Sequence, residues 1–191
     1  MQYLHGLLHL KGVKNVMRWF LPVVILWIAA GCSKERIVPD RYEFDAEWAA
    51  ASYFGPDALG YVDQYQLDLA QGRTDEDLAL ISSGAVVRLM LSAPVAEDIA
   101  FPNGFFHGSA TGEAPYTFNC GEVQADKSIA GSYIGFCPDG GQQVQLLPIE
   151  HGEVSVSLDA DGTYQIRVEV AASKKTFVFC YQGEVPTANC S

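Results

Sequence analysis

The sequence predicts an all-β fold, an antiparallel β-sandwich or barrel of about 8–9 strands. Three observations carry that prediction. Apolar and polar residues alternate over short runs, most plainly Val154, Val156 and Leu158 against Ser155 and Ser157. Glycine-bearing turn signals such as Pro102-Asn103-Gly104 and Asp161-Gly162 separate the runs. Beyond residue 32, no stretch sustains a helical apolar period.

Residues 1–31 stand apart from that pattern. Arg18 supplies a positive charge, and residues 19–30 form an uninterrupted apolar run. The run is shorter than the roughly 17–25 residues that cross a bilayer, and it fits the apolar core of a signal peptide. The small residues Ala29, Ala30 and Gly31 then lead to Cys32, in a pattern that resembles the bacterial lipobox. Ala29 stands where Leu is commoner. The competing explanation is an ordinary secretory signal with a cysteine at its cleavage point. By the resemblance, the Cys32 thiol takes a diacylglycerol and the new N-terminus an acyl chain, so the partner is a membrane reached through lipid. A signal peptide beginning at Met17 is complete without residues 1–16, which makes Met17 an alternative start or residues 1–16 a dispensable extension.

Residues 32–44 read as the lipidated cysteine and a polar tether, and residues 45–191 as one domain. Ser33 follows the cysteine, which by lipoprotein sorting rules favours the outer membrane. A first strand covers 47–54, with a short helix over 46–51 as the alternative because of its alanines. Residues 61–70 alternate, with Tyr61, Tyr65, Leu67 and Leu69 on one face and Asp63 as the exception there. A loop over 71–83 holds Asp75-Glu76-Asp77. Val87, Leu89 and Leu91 face inward from a strand over 85–92, and Pro94 ends it. Strands follow at 105–110 and 116–120, then a polar loop at 123–131, then strands at 132–137 and 142–148. The last third reads as a three-stranded meander, with Tyr164, Ile166, Val168 and Val170 in its middle strand and Phe177, Phe179 and Tyr181 in its last.

Charge and cysteines limit the function. All 23 acidic residues follow Cys32, whereas 3 of the 12 basic ones precede it, so the chain from Cys32 onward carries a net charge of −14. That opposes nucleic acid and anionic headgroups. Cys120, Cys137, Cys180 and Cys190 are an even set in an exported chain and imply two disulfides. Loop length favours Cys120–Cys137 with Cys180–Cys190, each contributing about 3 kcal/mol in the chain-entropy picture. No C-x-x-C pair occurs, and His107 and His151 have no ligand spacing, so neither a metal nor a cofactor is expected.

The segments Tyr61–Leu69, Val86–Pro94, Pro102-Asn103-Gly104-Phe105-Phe106, Gly152-Glu153-Val154-Ser155-Val156, Asp161-Gly162 and Tyr164-Gln165-Ile166-Arg167-Val168 form a series. With the closing Tyr181-Gln182-Gly183-Glu184-Val185, the series resembles a loose group of small Bacteroidetes lipoproteins. The resemblance implies a lipid-anchored all-β envelope domain and carries no catalytic residues. The cysteines are not part of the group's pattern.

The candidate sites are few. Asp159-Ala160-Asp161-Gly162 opens like a calcium loop, but its twelfth position is Val170 where a bidentate Glu is needed, so a hairpin turn is expected. Asp75-Glu76-Asp77 reads as a solvated loop. Glu97-Asp98 and Glu150 are nominal carboxylates for glycoside hydrolysis, which needs two acids about 5–10 Å apart. There is no G-x-S-x-G, and Gly140-Gly141 lacks the lysine of a phosphate loop. Trp48, Tyr53 and Phe54 are the candidate aromatic platform for a glycan, against the alternative that Trp48 fills the core. The leading expectation is a non-enzymatic binding or structural lipoprotein with a glycan or envelope-protein partner. The alternatives are an accessory carbohydrate-binding lipoprotein of a nutrient-uptake system, a hydrolase, and a barrel carrier of an apolar ligand.

Overall fold

The computed structural model describes residues 40–74, 82–138 and 143–191. Residues Pro39–Ser191 form the unit described below. Ala29, Ala30, Gly31 and Cys32, the start of the tether, Asp75-Glu76-Asp77 and Gly140-Gly141 lie outside the described residues.

The described chain is all-β, with no helix, and its strands fall where side chains alternate. They are β1 (Arg41–Asp45), β2 (Trp48–Pro56), β3 (Val62–Gln71), β4 (Gly84–Pro94), β5 (Gly104–Ser109), β6 (Thr117–Asn119), β7 (Glu122–Val123), β8 (Ile129–Ala130), β9 (Tyr133–Cys137), β10 (Gln145–Pro148), β11 (His151–Leu158), β12 (Tyr164–Ala172), β13 (Lys175–Gly183) and β14 (Thr187–Asn189). Alternation is cleanest in β12, where Tyr164, Ile166, Val168, Val170 and Ala172 are buried and Gln165 and Arg167 exposed. Successive side chains of a strand take opposite faces, so this pattern alone fixes which face meets the core.

Ten strands follow one another in the order β1-β13-β12-β11-β5-β6-β4-β3-β2-β14, and β9 and β10 branch from β4 to make a twelve-stranded sheet. The sheet curls so that its two halves face one another. Tyr42 and Phe44 on β1 and Phe177 on β13 meet Phe136 of β9, with ring centroids 4.8–6.2 Å apart. The chain also steps directly between the two ends of the sheet. Ala46 N–H donates to the Cys180 carbonyl (2.8 Å), and the next residue, Glu47, donates to the Ala70 carbonyl (2.7 Å). One continuous core results, running from Ala49 to Val185.

The strand count exceeds the expected 8–9 because short edge strands hide in segments that read as connections. β1 overlaps the end of the expected tether, β7 and β8 form a hairpin that overlaps the expected loop at 123–131, and β14 is the last described strand. The sheet is mixed where an antiparallel one was expected: β1 pairs parallel with β13, β5 with β6, and β14 with β2. β2 is a strand and the helical alternative fails, because its alanines alternate between core and outer face against β3.

The expected disulfides are not formed. No disulfide links the four cysteines Cys120, Cys137, Cys180 and Cys190 to one another. Along β4, Phe118 lies opposite Leu91 and Cys137 opposite Gly84. Cys120, two residues past Phe118, is therefore about five strand positions from Cys137, about 17 Å at the usual rise, against a Cα limit of about 7 Å for a bridge. Cys180 lies on the outer face of β13 beside Arg167, whereas Cys190 follows β14 and donates its N–H to the Tyr53 carbonyl.

Strand direction gives the molecule two poles. Asp40, whose carbonyl accepts the Thr176 N–H (2.8 Å), begins the described chain at the proximal pole, beside the β12–β13 turn. The β2–β3 hairpin and the connection 95–103 lie at the opposite, distal pole, where the hydroxyl of Tyr164 at the far end of β12 meets the Phe101 carbonyl.

Candidate functional site

The proximal pole holds the larger groove, about 530 Å³, between β1 and the ends of β3, β4 and β9. Its apolar lining comes from Tyr42, Phe44 and Phe136, and its charges from Glu43 and Glu47. The run Arg41-Tyr42-Glu43-Phe44-Asp45 alternates, so β1 turns both rings toward the core and its charges to solvent. Tyr42 and Phe44 stack on Phe177 and Phe179, and Lys175 Nζ lies over the Tyr42 and Phe136 rings at 5.4 and 5.5 Å. The rings give their faces to one another and to Lys175. The groove therefore carries both signs: Glu43, paired with Arg41, and Glu47, with Lys175 over two of its rings. Sequence reasoning placed Tyr42 and Phe44 in the tether; their period-two spacing was the signal available.

From Glu43 at the rim of that groove, an ion-pair chain crosses the outer face. Arg41 donates to Glu43 (2.8 Å) and to Glu169 (2.8 Å), and Arg167 donates to Glu169 (2.9 Å). The Arg41 and Arg167 hydrogen bonds hold the Glu169 carboxyl below its usual range. Val178 lies in register between Glu43 and Glu169 and is only 1% exposed, an outward valine covered by charged neighbours.

A second groove, about 440 Å³, brings His107 and His151 together with Glu153 and Glu169. Register explains the meeting: His107 on β5 lies opposite Glu153 on β11, and His151 is two residues from Glu153 on the same strand. Gly152 lets β11 approach β12 closely here; a Cβ at Gly152 would come within 2.4 Å of the Glu169 carbonyl. Among the described residues, no three His, Cys, Asp or Glu side chains are placed to hold a metal ion.

The aromatic platform expected from Trp48, Tyr53 and Phe54 does not assemble. Trp48 packs on the small outer cluster of Ala70, Val86 and Cys137. Tyr53 turns inward, donating to Asp63 (3.2 Å) and resting on Tyr65, 5.1 Å between centroids. Phe54 alone is 44% exposed. The bulge between Tyr53 and Gly55 separates the last two, and Trp48 is at the other end of β2. The nominal hydrolytic acids do not converge either. Glu97 and Asp98 are exposed at the distal pole, whereas Glu150 accepts the Ser173 N–H at the proximal one. Asp159 and Asp161 belong to the β11–β12 turn, accepting from Gln165 (2.7 Å) and the Thr163 N–H (3.0 Å).

Between the poles, Asp68 is buried on the outer face of β3. It takes a two-point bond from Arg88, 2.7 and 3.3 Å, and a third from Gln66 at 2.7 Å. Burial works against the charge of Arg88, and its hydrogen bonds to Asp68 outweigh that, so its net shift is upward. Arg88 also lies 5.6 Å from the Tyr133 ring centroid. Every acceptor of Asp68 has a donor, which reads as a structural clamp across β3 and β4.

No protein-family model matches the chain, and comparisons with curated proteins and with solved structures found no match.

Proposed function

We propose that the chain is a lipid-anchored envelope protein whose β-sandwich is a binding or structural module and not an enzyme. The observation that carries the reading is the apolar run 19–30 ending in Ala29-Ala30-Gly31-Cys32. Lipid on Cys32 would hold the protein at the outer membrane, with two or more acyl chains giving the stable attachment that one does not. From Cys32 to Asp40 the chain can reach at most about 30 Å. Asp40, where the described chain enters the domain, would then lie within that distance of the lipid. The acidic balance supports a neutral or cationic partner over a nucleic acid or an anionic headgroup.

The test is metabolic labelling with an alkyne-bearing palmitate. The wild-type chain should incorporate label and partition with membranes, and Cys32→Ala should do neither while the domain keeps its strand content by circular dichroism. Label incorporated equally by Cys32→Ala would overturn the reading.

A further inference from the structure

The distal pole carries exposed apolar side chains on two neighbouring, pinned segments. Leu59 and Tyr61 belong to the β2–β3 hairpin and are 73% and 70% exposed, and Val95 and Ile99 in the following connection are 54% and 40% exposed. The last register pair is Val62 with Pro94, so Tyr61 and Val95 are the next residues outward on adjacent strands. Both segments are held in shape. Asp57 accepts the backbone N–H groups of Tyr61 (2.6 Å) and Val62 (3.2 Å). Asp63 accepts the Ala96 N–H (2.9 Å), Tyr65 donates to the Ala100 carbonyl (3.3 Å), and Tyr164 donates to the Phe101 carbonyl (2.8 Å). The inward bonds at 96, 100 and 101 leave Val95 and Ile99 facing solvent.

The charges around this tip are of one sign. Glu97 and Asp98 flank Val95 and Ile99, and Asp159, Asp161 and Glu184 lie in the strand connections at the same pole. The described cations lie elsewhere: Arg41, Arg73, Lys174 and Lys175 toward the proximal pole, Arg88 and Arg167 midway along their strands, and Lys127 in the β7–β8 turn. An apolar tip fringed only by carboxylates repels a second copy of itself and an anionic membrane surface. It is complementary to apolar side chains fringed by lysine or arginine.

We propose that the distal tip, built from Leu59, Tyr61, Val95 and Ile99 within an acidic rim, is a docking surface for a polypeptide presenting apolar residues flanked by cationic ones. The inference rests on the reading of the domain as a binding module, and it does not depend on lipid at Cys32. The pinned backbone means that little ordering entropy is lost on docking.

The test uses the full chain in phosphatidylcholine nanodiscs and three fluorescein-labelled peptides of equal length. One alternates lysine with leucine, one glutamate with leucine, and one lysine with serine; empty discs give the background. The lysine–leucine peptide should bind above that background, and the other two at least tenfold more weakly. Leu59→Ser with Tyr61→Ser should weaken the lysine–leucine peptide roughly tenfold or more through lost apolar burial. Glu97→Gln with Asp98→Gln should weaken it a few-fold and flatten its salt dependence. Leu146→Ser, at an exposed apolar residue on β10, should leave binding unchanged. The substituted tip residues are solvent-exposed, so an unchanged melting curve checks that each variant is folded. Equal binding by the tip variants, or equal binding of the glutamate–leucine peptide, would overturn the proposal. So would sedimentation of the chain as a dimer that Leu59→Ser with Tyr61→Ser dissolves. Loss of palmitate labelling with peptide binding intact would remove the anchor reading and leave the tip.

Discussion

The two ends of the sheet are closed in different ways. At the proximal pole, Tyr42, Phe44, Phe136, Phe177 and Phe179 pack between the halves, and Lys175 lies over the Tyr42 and Phe136 rings. At the distal pole, irregular backbone crosses the opening: Phe101 packs against the Tyr65 and Tyr164 rings, and the hydroxyls of those tyrosines and the carboxylate of Asp63 hold the backbone. Irregular backbone has no ladder to satisfy its polar groups, so side chains must do so. The comparison shows why the distal connection displays Val95 and Ile99. At the proximal end the rings sit on regular strands, whose alternation sends them all inward; at the distal end the connection buries Phe101 and leaves Val95 and Ile99 to solvent.

The comparison can be broken most strongly at the rings. Phe136→Ala should destabilise the domain by about 3–5 kcal/mol, since Phe136 is only 3% exposed and touches both halves. Chemical denaturation would measure it, and a loss under about 1 kcal/mol would mean that the rings do not hold the halves together. Tyr164→Phe removes one distal hydroxyl and leaves the Phe101 carbonyl without that donor, for an expected loss of about 1–3 kcal/mol. Hydrogen exchange should rise first in the connection 95–101, and a rise confined to the proximal strands would contradict the assignment.

The smallest effect is in pH and salt. Each pole has a carboxylate held below its usual range. Glu169 is lowered by its Arg41 and Arg167 partners; at Asp57 the backbone N–H groups of Val62 and Tyr61 outweigh partial desolvation. A depressed carboxyl adds stability that is present above its unfolded value, near ~4, and is lost as the pH falls through its lower folded value. Both contributions should therefore disappear only in that acid range. Added salt should move the Glu169 midpoint back toward its usual value and leave that of Asp57 nearly unchanged, because ion pairs are screened and short backbone hydrogen bonds much less so. Carboxyl-carbon titrations by NMR at low and high salt would separate them. Equal salt shifts at the two groups would show that ion pairing and backbone bonding are not the distinction between the poles.

Much of the strand pattern was legible because it is local. The meander of β11, β12 and β13 falls where Val154, Ile166 and Phe177 imposed period two, and Asp63 faces inward as its place in β3 required. β7, β8 and β14 are too short to show a period. β1 does show one, in Tyr42 and Phe44, but polar neighbours made it read as a tether. Of the candidate sites, the glycan platform does not assemble because Trp48 lies five residues from Tyr53 at the other end of β2, and a bulge sends Tyr53 and Phe54 to different surroundings. The meeting of His107 with His151 was illegible because they are joined only through register.

By itself the sequence determined that the domain is all-β, which face of each long strand is buried, and that acids outnumber cations. Tertiary structure decided that β1 and β14 pair parallel, that Phe136 meets Phe177 across the core, that Cys120 and Cys137 stand too far apart to bridge, and that the described cations avoid the distal pole. The physical reason is range. The pleat fixes side-chain direction within a few residues, whereas strand edges offer the same N–H and C=O groups to any partner. Which edges join is settled only when distant segments bury their apolar faces together.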